Sequence, residues 1–279
     1  MAQTSPTFRR RRLARRLRQM REQAKMTLED AAPRLDKTRS SLGRIETGIS
    51  RADVHLIRSM MDLYDHYDPD LLDMARAANR PAWWTPFFRR CTENRGYVGL
   101  EADAVSVLEF SLAYVPGLLQ TERYMRAVLD SELMAPRDAE QLENEVTVRL
   151  RRQRRLTDED DPLELVAIVD ESAIRRPIGG PAVMREQLTY LIDRARLPHA
   201  SLHIIPNEVG MHVRLQGPFA ILEYEWPEPM LYIDHVRGAL HVDDPAELRR
   251  ARALFDHLES LALSGDESLR LIEKIADEH

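Results

Sequence analysis

The stretch from Thr27 to Gly48, TLEDAAPRLDKTRSSLGRIETG, decides how this chain is read. Thr27 followed by Asp30 marks a helix start, because a hydroxyl accepts the free N–H groups of a first turn and an acid is favoured at its positive end. Thr38 does the same for a second helix, after the short polar connection Asp36-Lys37. Gly48 ends that helix, since glycine accepts the left-handed backbone of a C-terminal cap. The expectation is helix, tight turn, helix. In the second helix Leu42 and Ile45 turn inward together, which leaves Arg39, Ser40, Gly43 and Arg44 on the other side.

A small, polar, basic helix face suits the DNA major groove. Arginine offers a two-pronged donor to guanine, serine bonds to several base edges, and glycine permits close approach. A solvated helical hairpin would look the same, so the flanking sequence has to decide. Residues 8–25, FRRRRLARRLRQMREQAK, put Leu13, Leu17 and Met20 on one stripe and arginines over most of the rest. Residues 1–50 hold 13 Lys/Arg against 5 Asp/Glu, a charge of +8, whereas the whole chain carries −6, which leaves −14 for residues 51–279. A phosphate backbone attracts the first part and repels the second.

The run from Leu13 through Gly48 resembles the xenobiotic-response-element-type helix-turn-helix of phage repressors, above all in MTLEDAA and TRSSLGRIETG. The resemblance implies double-stranded DNA as the partner. Arg39, Ser40 and Arg44 would read bases with Gly43 on the same face, and Thr27 and Thr38 would lie near phosphates. Arg12 and Arg16 in the basic stretch are expected to hold DNA of any sequence. Two departures stand out. Leu28 occupies the place where many relatives have a glutamine that helps clamp the backbone, and Pro33 removes the bond to Glu29 and should kink the first helix.

Working outward, Val54, Ile57, Met60, Met61 and Tyr64 recur at helical spacing, and residues 70–79 form another short helix. These complete a five-helix domain over residues 8–79. The segment RPAWWTPFFRR follows, within a linker over residues 80–96. Its aromatics are expected to dock or anchor an interface rather than stack bases, because base-stacking sites need a cationic groove and the sequence here is turning acidic.

Residues 97–279 read as a larger mixed α/β domain with a small sheet of about four or five strands, so the fold class is α+β. Strands are expected in VSVLEFSLAYV, LELVAIV, SLHIIP, GPFAILEY and PMLYIDHV. Helices are expected around Tyr124, over residues 137–156, in VMREQLTYLIDRA, after Asp244-Pro245, and after the Ser264/Glu267 capping box. The helix over 137–156 ends in five arginines, Arg149, Arg151, Arg152, Arg154 and Arg155, which read as a solvated helix end or as a contact for an acidic partner or phosphate. The blocks GLEADAVSVLEFSLAYVPGLLQTERYMRAVL, VAIVDESAIRRPIGGPAVMREQL and LALSGDESLRLIEKIADEH are similar to the C-terminal domain of actinobacterial toxin–antitoxin-like regulators. That resemblance implies regulation, often together with a small, separately encoded partner protein, and names no chemistry.

No enzyme is expected. His199 and His203 lie where a loop passes into a strand, so helical spacing does not aim both at one metal. Asp170-Glu171 at a strand end could act on a ligand but also suits a helix cap. Gly179-Gly180 lacks the lysine of a phosphate loop. The single cysteine, Cys91, reads as a packed small hydrophobe and excludes an internal disulfide. No cofactor or metal is expected, and neither is a secretory signal or membrane anchor, which points to the cytoplasm and, on DNA, the nucleoid. The expectation is a homodimeric transcription regulator on a pseudo-palindromic operator, with a second domain for dimerisation, a small-molecule effector or a small partner protein. The alternative is an antitoxin-like module that holds such a partner and regulates its own promoter.

Overall fold

The computed structural model describes residues 8–79, 83–87, 95–131, 138–213, 217–225, 229–235 and 238–279. The chain divides into two units, Met1–Thr85 and Pro86–His279. Cys91 and most of the proposed linker fall outside the described residues.

Among its described residues the first unit has five helices: α1 (Phe8–Gln23), α2 (Leu28–Arg34), α3 (Arg39–Glu46), α4 (Val54–Leu63) and α5 (Asp70–Asn79). Thr27 and Asp30 form a reciprocal capping box at the start of α2, Thr38 caps α3 and Asp53 caps α4. The kink expected at Pro33 is replaced by a helix end. Pro33 is the penultimate residue of α2, and Leu35 N closes the helix on Ala31 O at 3.2 Å and Ala32 O at 3.1 Å. The stripe Leu13, Leu17 and Met20 is buried as its spacing requires, and it shares one core with Leu42, Ile45, Ile57, Met60 and Leu71. Burying such side chains contributes roughly 1.5–3 kcal/mol each, so this core fixes how the short helices pack.

The second unit contains α6 (Arg95–Glu101), β1 (Ser106–Ser111), α7 (Glu122–Asp130), α8 (Ala139–Gln153), β2 (Glu164–Asp170), α9 (Glu171–Arg175), α10 (Pro181–Arg194), β3 (Ala200–Ile205), β4 (Phe219–Glu223), β5 (Met230–His235), β6 (Gly238–Val242), α11 (Pro245–Leu261) and α12 (Gly265–Glu278). Among the described residues the small sheet of the expected mixed α/β domain has six strands, in the order β3-β2-β1-β4-β5-β6. The additional strand is β6, GALHV, an edge strand whose Leu240 is exposed while His241 is half-buried, so its sequence carries no alternation of buried apolar and exposed polar residues from which it could be read. β1, β2 and β3 run parallel, and β4, β5 and β6 continue antiparallel.

One sheet face packs Phe110, Ile168, Phe219 and Ile221 against Phe255 and Leu258 of α11. The opposite face carries Val107, Ala167 and Ala220, which are buried too. Covering on both faces is the usual company of parallel strands. The outer edge of β3 is completed by the α11–α12 junction, where Leu263 N donates to Ile204 O and Ile204 N donates to Ser268 Oγ, each at 2.9 Å.

Candidate nucleic-acid interface

Recognition depends on which side of α3 is anchored and which is open. Leu42, Ile45 and Glu46 are buried, while Arg39, Ser40 and Arg44 are exposed. Glu46 is held by Arg21 of α1, which lies outside any sequence-level expectation. Arg21 Nε and Nη2 reach Glu46 Oε1 and Oε2 at 2.9 and 2.8 Å, and Nη1 donates to Met26 O at 2.7 Å. This pair fixes the last turn of α3 on the basic helix. Burial, together with the charge of Glu46, pushes the neighbouring Tyr64 phenol up to about 12.

Gly48 completes the anchor. Its φ is 74°, and a Cβ there would lie 3.3 Å from the backbone carbonyl of Arg10 and from Arg11 Cα, so the chain leaving α3 runs directly against α1. Gly43 is different. A Cβ there would sit 3.7 Å from Leu28 Cδ1, an ordinary packing distance that points this position towards α2.

The remaining candidates occupy distinct settings. Arg39 forms an exposed ion pair with Glu29, which must open or be shared before Arg39 can read a base. Arg44 and Ser40 are exposed on the same helix. Thr38 Oγ1 accepts from Ser41 N at 3.1 Å and keeps its own proton to donate. Thr27 donates its hydroxyl to Asp30 Oδ2 at 2.6 Å, and the two hydrogen bonds from Thr27 hold Asp30 below the usual carboxylate range. Thr27 is therefore a cap beside an ionised acid. Arg12 is half-buried, and Arg16 Nη2 is paired with Asp68 Oδ2 at 2.7 Å.

Sequence reasoning missed one further cation. Arg51 lies just beyond Gly48, and partial burial together with its charge lowers the Arg10 guanidinium from its ordinary value. Two like charges held near each other beside the end of α3 are relieved by an anion.

In the second unit the features singled out earlier serve the fold. Asp170 caps α9 through Ser172 N at 2.9 Å, accepts Ser172 Oγ at 2.5 Å, and contacts His212 Nε2 at 3.1 Å through its other oxygen. The carboxylate, not the imidazole, thus touches the hydroxyl, which is the reverse of what an activated serine needs. Glu171 accepts Asn207 N at 2.7 Å and pairs with Arg175. His199 pairs with exposed Glu164, and His203 Nδ1 contacts Leu263 O. Among the described residues no group of three or more His, Cys, Asp or Glu is placed to hold a metal ion, and no helix is long and apolar enough to cross a membrane. Of the arginines late in α8 and in the turn after it, Arg152 is bound to Glu101, Arg155 donates to Glu101 O and Ala104 O, and Arg149 donates to Gln120. Near the end of the first unit, Trp84 is buried and meets Trp83 edge to face at 5.5 Å.

Two family descriptions match the chain: Helix-turn-helix domain over residues 12–75 and Domain of unknown function (DUF5753) over residues 94–274. No curated protein and no solved structure matches it.

Proposed function

The chain belongs to the DUF5753 family, and from that premise, with a helix-turn-helix domain ahead of the family region, we propose that it is a dimeric, sequence-specific transcription regulator whose second unit assembles the dimer and senses an effector. The observation that carries this reading is the division of α3 into a buried, ion-paired back and an exposed Arg39-Ser40-Arg44 front. In this reading Arg44 and Ser40 contact base edges directly, and Arg39 does so once Glu29 releases it. Thr38, Arg12 and the Arg10/Arg51 pair meet phosphates. Thr27 is left out because its hydroxyl and its neighbour Asp30 present acceptors to an already anionic backbone.

A dimer would place two such helices about one turn of duplex apart, roughly 34 Å. The operator would then be pseudo-palindromic. Genome-wide mapping of bound sites, followed by competition between an enriched duplex and a random one, tests the reading. A paired half-site motif one helical turn apart and a tight preference for the enriched duplex are expected. Equal affinity for both duplexes would overturn sequence-specific recognition, and a monomer by light scattering on the enriched duplex would overturn the dimer.

A further inference from the structure

On the sheet face away from α11 the strand registers align Leu202, Ala167, Glu109, Ala220, Tyr232 and His241 in one row. Glu109 is thus a half-buried carboxylate on a central strand with an alanine on either side. Helices supply its other neighbours. Arg152 of α8 gives Nε and Nη2 to the two oxygens of Glu101 of α6 at 2.6 and 2.5 Å, and its guanidinium lies 5.1 Å from the centre of the Tyr97 ring. Tyr97 meets Tyr232 at 4.6 Å. Glu109 accepts a hydrogen bond from Ser111 Oγ at 3.2 Å.

Among the described residues Glu101 and Glu109 are two carboxylates near one guanidinium, and the guanidinium's two-pronged bond goes to Glu101. An unmatched charge in such a setting is neutralised more cheaply by taking up a proton than by being held dry.

We propose that Glu109 is a proton-binding site that governs how firmly α6 is held on the sheet. With the proton bound the cluster is neutral and α6 stays packed. When the proton leaves to solvent, two carboxylates compete for Arg152 and the hold of α6 weakens.

The groups on this face with Glu109 are Glu101 and Tyr97 from α6, Arg152 from α8, Tyr232 from β5, Ser111 on its own strand, and His241 from β6, whose ring lies 5.6 Å from that of Tyr232 and beside Gly96 of α6. Burial, with the charge of Glu101 added, pushes Glu109 up to about 7. Burial raises both tyrosines, which therefore stay neutral. Burial would lower Arg152, but the Glu101 contact prevails and keeps it charged. For a carboxyl raised in this way the packed state holds more protons than the open one between the ordinary glutamate value and about 7. Stability is therefore lost as pH rises through that window and is constant above it.

Hydrogen exchange of the full chain at pH 6 and pH 8, corrected for intrinsic rates, tests this. Protection of residues 97–101 is expected to fall about tenfold between those two values, the change that linkage gives for a midpoint near neutrality. Glu109→Gln should abolish the dependence, and so should Glu101→Gln, which frees Arg152 to turn to Glu109. Carboxyl carbon NMR of the wild-type chain supplies a second reading that needs no folded Glu109 variant. It should show a glutamate titrating near neutrality whose midpoint drops in Glu101→Gln. Protection that is the same at both pH values, an undiminished dependence in Glu109→Gln, or no glutamate titrating above the ordinary range would overturn the proposal.

Discussion

Arg21 Nε and Nη2 grip both carboxylate oxygens of Glu46, with 9% and 3% of the two side chains exposed. The α3 helix is therefore held by an ion pair from the very helix whose other arginines give the first unit its positive charge. Breaking such a pair from one side leaves a buried, uncompensated charge. Glu46→Ala is expected to cost about 3–5 kcal/mol, read as a lower urea midpoint for the first unit. A midpoint equal to that of the wild type would show that the pair is dispensable.

The two glycines flanking this anchor should respond in opposite ways. Gly48→Ala forces a side chain into a left-handed backbone and against the Arg10 carbonyl 3.3 Å away. The left-handed conformation alone costs roughly 1–2 kcal/mol. Gly43→Ala adds an ordinary contact with Leu28 inside a helix, where alanine is favoured over glycine by up to about 1 kcal/mol. Thermal denaturation of the two variants side by side checks the contrast, and a stabilised Gly48→Ala or a collapsed Gly43→Ala would contradict it.

DNA binding should separate the exposed arginines by role. Arg44→Ala is expected to lose about 1–3 kcal/mol on the preferred site with relaxed base choice. Arg51→Ala should weaken all duplexes alike and reduce the salt slope by about one. Glu29→Gln frees Arg39 and removes the negative charge beside it, so binding to random DNA should tighten. Titrations at several salt concentrations distinguish these outcomes. Equal losses on specific and random DNA for Arg44→Ala would remove it from the base-reading set.

In the second unit the fully buried Gln187 accepts Thr121 N and donates to Leu119 O, both at 2.7 Å. It therefore ties the turn before α7 to α10. Gln187→Leu fills the same space but orphans two backbone groups, each worth about 1–3 kcal/mol when buried and unmet. Unfolding of the second unit at clearly lower denaturant is the expected result, and unchanged stability would mean that water replaces the amide.

What could be read from the sequence was local. Thr27, Thr38, Gly48, Asp244 and Ser264 announce helix ends because capping depends on residues within a few positions. Arg21 gave no such signal: it sits in an arginine-coated helix, and only tertiary packing selects it from its neighbours for burial. The alternation of Leu108, Phe110 and Leu112 marks a strand with one apolar face, yet on the other face Val107 is fully buried and Glu109 half-buried because helices cover that side as well. An apolar pattern reports where one core lies, not whether a second layer covers the opposite face. Arg152 and Arg155 looked like a solvated helix end for a similar reason, since their partners Glu101 and Ala104 lie some fifty residues earlier in the chain.

The junction between α11 and α12 bears on how the chain tolerates shortening. Leu263 and Ser268 satisfy the outward-facing backbone of β3 at Ile204, so removing everything after Leu261 would strip a strand of its cover and present a bare template to other chains. Such a shortened product should clump rather than merely soften.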